Sequence, residues 1–264
     1  MKLKITLRIL PALFAAISWL SCDQATHDTL SLHEVENNAV QLYYGSKGGV
    51  TITGGDGKYS FSCESPLLKA EMTHRNYILF EPLSVGDATV TIKDSSGEFY
   101  VLNVTITYRT EDCVISKLDV TVVGDAMTVA EQKELKAKAL ATIPVKAGGG
   151  YKFVYTGGDE LDETEGIVFI YPEKYGQDGI EGVFERVIVW HEVRKYSHIT
   201  YTLHYDHISR TYIFMQYDEP TTKTSPLEYV AFQFAEDLKE QYKIDYPNVE
   251  QVYTSQVFGS MTAE

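Results

Sequence analysis

Short runs in which apolar and polar residues alternate cover most of residues 30–108, and this pattern constrains the fold more than any other feature. The clearest runs lie at 50–53, 59–63, 88–93 and 102–107. A period of two is typical of a strand with one buried face. Clusters of turn residues separate the runs, as at 54–57 (GGDG) and 94–97 (DSSG). The pattern predicts an antiparallel β-sandwich without helices.

Three of these segments resemble bacterial Ig-like domains of the Big type. They are ITGGDGKYSFS (52–62), LSVGDATVTIKDSSG (83–97) and VLNVTITY (101–108). In that family a glycine-rich turn precedes an aromatic-bearing strand, and a Val-Gly-x-Ala-Thr-Val motif opens the penultimate strand. The resemblance implies an Ig-like sandwich over residues 30–109 that spaces, displays or adheres and carries no chemistry. Gly86 and Gly97 suit positions that need a positive φ.

Residues 110–264 show a different pattern, which indicates an α+β domain with an antiparallel sheet and two helices. Thr128 and Glu131 form a capping-box sequence that starts the first helix, and Pro144 stops it. Ser225-Pro226-Leu227-Glu228 is the start signal of a second helix, which should run through an apolar stripe to about Lys243. Strands are expected at about 114–123, 151–156, 166–172, 183–194, 198–206 and 210–218. Residues 249–258 are compatible with either a strand or a helix.

The first 22 residues have the features of an export signal. Three basic residues precede an apolar stretch of roughly 12 residues, which is too short to span a bilayer. Cys22 follows the small residue Ser21 and resembles the lipidated cysteine of a bacterial lipoprotein. We therefore expect a lipid anchor at Cys22, a tether over 23–29, and a location at the outer membrane or cell surface, with a periplasm-facing position left open. Plain secretion and an uncleaved anchor are the alternatives.

The charge of the chain is strongly acidic, and this excludes one class of partner. The formal net charge is −14, and without residues 1–22 it becomes −17. Nucleic-acid binding needs a basic excess to neutralise phosphates, so we expect no nucleic-acid partner. Two cysteines remain beyond the signal segment, Cys63 and Cys113. Packed, reduced thiols are favoured because cysteine is commonly buried, and a disulfide between the two halves is the alternative.

Four tyrosines near the predicted hairpin are the candidate ligand-binding residues. They are Tyr201, Tyr205, Tyr212 and Tyr217. If they face solvent, they form a flat platform for a sugar or a protein partner, because tyrosine combines contact area with a polar tip. If they face the interior, they belong to the core. The core interpretation is favoured because Ile199 and Leu203 share the parity of Tyr201 and Tyr205.

Metal and catalytic sites have weak support in the sequence. His204 and His207 are the only candidate metal ligands near one another, since His198 would lie roughly 20 Å from His204 along a strand. The acidic run 159–165 lacks the spacing of a calcium loop. Four carboxylates could supply a glycosidase pair: Glu185, Glu192, Asp206 and Asp218.

The sequence lacks the familiar hydrolase and nucleotide-binding motifs, so we expect no enzyme and no cofactor. The predicted function is therefore non-enzymatic binding or display at the cell envelope, with the first domain as a spacer. An accessory glycan-binding lipoprotein is the first alternative. A hydrolase that uses carboxylates of the second domain is the other.

Overall fold

The protein is almost entirely β-structure in the computed structural model, which describes residues 28–158, 163–191, 196–217 and 231–263. Strands make up 61 % of the described residues and helices 8 %. The strands form two four-stranded sheets and a closed eight-stranded barrel. The prediction of an Ig-like sandwich followed by an α+β domain with two helices is therefore wrong. The candidate lipidation residue Cys22 and the tether lie outside the described residues, apart from the tether's last two positions.

Two four-stranded sheets occupy residues 31–107. The first has the order β1 (Ser31–Leu32), β3 (Gly48–Thr53), β6 (Tyr77–Pro82), β5 (Leu68–His74). The second has the order β2 (Ala39–Tyr43), β8 (Phe99–Thr107), β7 (Gly86–Asp94), β4 (Tyr59–Cys63). Alternate side chains of both sheets enclose one apolar core, as the period of two requires. Gly86 and Gly97 have positive φ angles, as their turn positions predicted.

The barrel follows at once and uses the rest of the chain. Its eight strands are all antiparallel to their neighbours, and β9 closes the ring by pairing with both β10 and β16. In chain order they are β9 (Arg109–Val123), β10 (Gly150–Gly158), β11 (Glu163–Tyr171), β12 (Ile180–His191), β13 (Tyr196–Tyr205), β14 (Ile208–Tyr217), β15 (Ala231–Asp237) and β16 (Gln251–Ala263). The predicted domain boundary at residues 109 and 110 falls within β9. Closure removes the exposed edges that an open sheet would leave.

The second predicted helix is replaced by a strand. Residues 231–237 form β15, which pairs with β14 and β16, and only Lys239–Tyr242 form a short helix, α2. The helix-start residues at 225–228 lie outside the described residues. The apolar residues at 231, 234 and 238 fit a helical stripe, but the segment also carries Phe232 and Phe234 with strand parity. The strand forms because residues 231–237 pair with β14 on one side and β16 on the other. Such tertiary pairing overrides the local helical propensity.

The first predicted helix is present as α1 (Val129–Ala141) and begins with the predicted capping box. The Thr128 hydroxyl accepts a hydrogen bond from the Glu131 amide at 3.2 Å, and the Glu131 carboxylate accepts from the Thr128 amide at 2.7 Å. Leu135 and Ala139 are its buried residues, and they pack against the far ends of β9 and β16. The helix therefore covers the end of the barrel at which β9 finishes. No helix among the described residues is long and apolar enough to cross a bilayer.

Both remaining cysteines carry free thiols, as the favoured interpretation predicted. Cys113 lies in the barrel core, and burial raises the pKa of its thiol well above the ordinary value. Cys63 is half-buried on β4, and its thiol donates to the carbonyl oxygen of Leu68 at 3.6 Å.

Candidate functional site

Aromatic rings fill the interior of the barrel. Phe234 is the centre of this packing, with ring centroids 5.1 Å from Tyr201, 5.2 Å from Tyr212 and 5.0 Å from Phe258. The other buried rings of the interior are Tyr151, Phe153, Tyr155, Phe184 and Tyr205. A barrel of eight strands is just wide enough for its own side chains to fill it. Any ligand of the barrel must therefore bind at an end or on the outside.

One end of the barrel carries charged and aromatic side chains on its inner face. This end, called the barrel mouth below, is the one at which β9 begins and β10, β12 and β14 finish. Arg109 and Glu111 share a face of β9 with the buried Cys113. Across the mouth, Arg186 shares a face of β12 with the buried Phe184. Alternation along the strands thus brings two cations and one carboxylate to the same opening.

A hydrogen-bonded row forms the floor of the mouth. The Tyr155 hydroxyl donates to the Glu111 carboxylate at 2.5 Å, and the hydroxyls of Tyr155 and Tyr201 are 3.2 Å apart. The guanidinium of Arg109 lies 4.7 Å from the centre of the Tyr155 ring. The guanidinium of Arg186 lies 6.0 Å from the centre of the Tyr201 ring. Both distances fall within the range in which a cation is attracted to an aromatic face.

The two phenols of the floor stay protonated. Burial, the neighbouring Tyr201 and the Glu111 carboxylate raise the pKa of Tyr155 far above its ordinary value. Burial, followed by the negative charge of Glu111, raises the pKa of Tyr201 as well. A buried phenolate next to a carboxylate would combine two unfavourable terms, loss of hydration and like-charge repulsion. The floor is therefore a set of neutral hydroxyl groups beside one carboxylate.

Exposed aromatic residues form the rim. Trp190 shares its strand face with Phe184 and Arg186, yet its side chain is 69 % exposed. Phe232 is 38 % exposed and stacks on Phe214, with ring centroids 5.2 Å apart and planes 9° apart. Large aromatic faces left open beside polar groups are a common feature of binding surfaces. The mouth thus combines open rings, two guanidiniums and a carboxylate.

The opposite end of the barrel holds a second polar cluster, but it is enclosed. Arg210 and Glu236 form an ion pair at 3.5 Å, and both side chains are largely buried. Burial raises the pKa of the Glu236 carboxyl, and Arg210 acts in the opposite direction. The Tyr151 hydroxyl donates to the Gln256 side-chain oxygen at 2.7 Å within the core. Arg210 is thus paired with Glu236, and Tyr151 with Gln256, inside the barrel. Polar groups that are buried and paired in this way suit a structural role.

Three of the four predicted tyrosines lie inside the barrel. Tyr201, Tyr205 and Tyr212 are all buried, so they do not form the solvent-facing platform considered above. Their inward direction follows from the closed sheet, in which alternate residues of β13 and β14 face the interior. Tyr217 ends β14, and the position of its side chain lies outside what the structure describes. Of the three described tyrosines, Tyr201 takes part in the mouth, as part of its floor.

The candidate metal ligands lie on the outer surface. His204 and His207 line an open concavity of about 670 Å³ at the turn between β13 and β14. Within the described residues, no three side chains of His, Cys, Asp or Glu converge as a metal site would require. Asp206 and His207 occupy the turn with φ angles of 47° and 64°, which fits a two-residue hairpin.

The two glycosidase candidates that the structure describes, Glu185 and Asp206, lie far apart. Glu185 pairs in register with Thr202, four residues before Asp206. At about 3.3 Å per residue, the two carboxylate positions are separated by roughly 13 Å, beyond the spacing that glycosidases use. Glu192 and Asp218 lie outside the described residues, as does most of the acidic run 159–165.

Sequence reasoning missed Arg109, Glu111, Arg186 and Trp190. The first two were placed at a domain boundary, because the strand was expected to begin at residue 114. Extending the alternation of Cys113 and Ile115 backwards would have placed both on the inner face. Trp190 carried a signal too, since it is the only tryptophan after the export segment.

No protein-family model and no curated protein matches this sequence.

Proposed function

We propose that the chain is an exported, lipid-anchored protein of the bacterial envelope that binds a carbohydrate at the barrel mouth without catalysing a reaction. One observation carries the binding part of this proposal. Trp190 presents a largely open ring at an opening that also holds the exposed Phe232, a carboxylate and two guanidiniums. Aromatic faces stack on the C–H faces of sugars, and charged side chains bond to their hydroxyl groups.

The export part of the proposal is supported by residues 1–22, with their basic start, short apolar stretch and Cys22. A Cys22→Ala variant tests the anchor, because this residue would carry the acyl chains. We expect the variant to leave the membrane fraction after cell lysis. Retention in the membrane fraction would contradict the lipid anchor.

A glycan array tests the binding part, with residues 23–264 as the probe. We expect the protein to bind at least one glycan and the Trp190→Ala variant to bind it about tenfold or more weakly, because a ligand that covers the ring buries apolar area there. Phe99→Ala is the matched control, since Phe99 is 65 % exposed on β8, outside the barrel. This control should bind like the wild type.

Two outcomes would overturn the carbohydrate proposal. In the first, the wild-type protein binds no glycan on the array. In the second, it binds a glycan with the same affinity in the Trp190→Ala variant. Either outcome would favour a protein partner, or a binding surface elsewhere on the chain.

A further inference from the structure

The two arginines of the barrel mouth are held in place by aromatic rings. Arg109 and Tyr155 are direct cross-strand partners, and so are Arg186 and Tyr201. Each guanidinium lies over the ring of its partner. Because the hydroxyls of the two tyrosines meet at 3.2 Å, the two cation–ring pairs belong to one continuous row across the floor. The rings of this row hold both guanidiniums at the mouth.

The ion pairs among the described residues include neither Arg109 nor Arg186. Glu111 is the acidic group of the floor, and it accepts a hydrogen bond from Tyr155. Yet acidic residues outnumber basic ones by 37 to 23 in the whole chain. Among the described residues of the mouth, two cations accompany one carboxylate, and this local excess of positive charge favours a negative ligand.

From this arrangement we infer that the carbohydrate bound at the mouth is acidic, and that Arg109 and Arg186 bind its anionic group. The inference rests on the proposed carbohydrate-binding function and deepens it. The planar guanidinium suits a carboxylate, sulfate or phosphate group, because two parallel N–H donors can meet two oxygens. The rim rings Trp190 and Phe232 would hold the sugar ring that carries this group.

A glycan array can distinguish a carboxylate, a sulfate and a phosphate as the anionic group of the ligand. It carries oligosaccharides with uronate, sulfate or phosphate groups, each next to the neutral parent of the same length and linkage. We expect an acidic member to bind about tenfold more tightly than its neutral parent, the size of one hydrogen-bonded charge pair. The difference should shrink as salt is added, because Arg109 is exposed and Arg186 is half-buried, so that counterions screen both charges.

Matched variants identify the residues involved, with affinities measured by calorimetry on the acidic ligand and on its neutral parent. Arg109→Gln and Arg186→Gln should each weaken binding of the acidic ligand about tenfold more than binding of its neutral parent. Retained binding of the neutral ligand shows that the variants are folded. Lys136→Gln removes the same charge from the exposed face of α1 and should change neither affinity. Glu111→Gln should preserve or strengthen acidic binding, since it removes a negative charge.

The outcomes distinguish this inference from the proposed function beneath it. If the array returns only neutral glycans, or if both arginine variants bind the acidic ligand like the wild type, the inference is wrong while carbohydrate binding stands. If the array returns no glycan, both are wrong. If acidic glycans bind and the arginine variants weaken that binding more than binding of the neutral parent, both are supported.

Discussion

At the scale of single residues, Phe234 is the side chain on which the barrel core most depends. It is fully buried and lies within about 5 Å of four other rings. Phe234→Ala should lower the free energy of unfolding by about 3–5 kcal/mol, because it removes apolar area and leaves a cavity. Denaturant unfolding measures this loss. Phe99→Ala should stay within about 0.5 kcal/mol of the wild type, and an equal loss in both would contradict this account of the core.

The buried phenols predict a response to alkaline pH. The pKa values of Tyr151, Tyr155, Tyr201 and Tyr212 are all raised, first by burial. The unfolded chain releases these protons near pH 10, whereas the folded chain retains them. The free energy of unfolding should therefore fall as the pH rises above about 10. Tyrosinate absorbance should show at least these four phenols as non-titrating until the protein unfolds, and complete titration of the folded protein near pH 10 would contradict their burial.

The sequence predicted whether a side chain faces the core from the neighbours that share its strand parity. Ile199 and Leu203 correctly favoured the core for Tyr201 and Tyr205. The same rule applied to β12 would place Trp190 inside with Phe184, and the ring nevertheless remains open. Its exposure follows from its position at the end of the strand, where the barrel opens. Strand parity predicts which way a side chain points. It does not predict whether the residue lies in the middle of the barrel or at its open end.

At the scale of elements, the pairing of β10 with β11 depends on a glycine. A Cβ atom at Gly166 would lie 2.0 Å from the carbonyl oxygen of Val154 on the neighbouring strand. Gly166→Ala should lower the free energy of unfolding by about 2 kcal/mol or more, because backbone atoms must move apart. The neighbouring Glu165→Ala is the control, since Glu165 is exposed. Similar unfolding curves for both variants would contradict this close approach of the strands.

The elements that the sequence predicted correctly are those set by local chemistry. The capping box of Thr128 and Glu131 needs only residues within one turn, and it begins α1 as expected. The prediction for residues 231–237 was wrong because the apolar residues of this segment fit both a helical and a strand period. Only pairing with β14 and β16, which are distant in sequence, selects the strand.

At the scale of the whole molecule, the two β-structures have separate cores. The core of the two sheets uses residues between 30 and 106, and the barrel cores use residues from 113 onwards. A fragment of residues 108–264 should therefore fold and unfold cooperatively, with a denaturation midpoint close to that of the barrel in the full chain. Near-ultraviolet circular dichroism measures the packed aromatic rings. A fragment without this signal would show that the barrel requires the first half.

Closure of the barrel could not be predicted from the chain. Six of its eight strands were expected as strands of an open sheet, β15 was expected as a helix, and β16 was left undecided. Closure depends on β9 meeting β16, whose paired residues lie at least 128 positions apart in the sequence. The composition gives no sign of that contact. The candidate site depended on it as well, because the barrel mouth exists only once the ring is complete.

The fluorescence of Trp190 tests the central claim, that a sugar binds at the barrel mouth, most directly. Of the two tryptophans in the chain, Trp19 belongs to the export segment, so residues 23–264 contain Trp190 alone. When the acidic glycan selected on the array is added, the emission should shift to shorter wavelength and quenching by acrylamide should weaken, because the sugar covers a ring that was 69 % exposed. Glycan binding detected by calorimetry, with unchanged emission and unchanged quenching of Trp190, would contradict a site at the mouth.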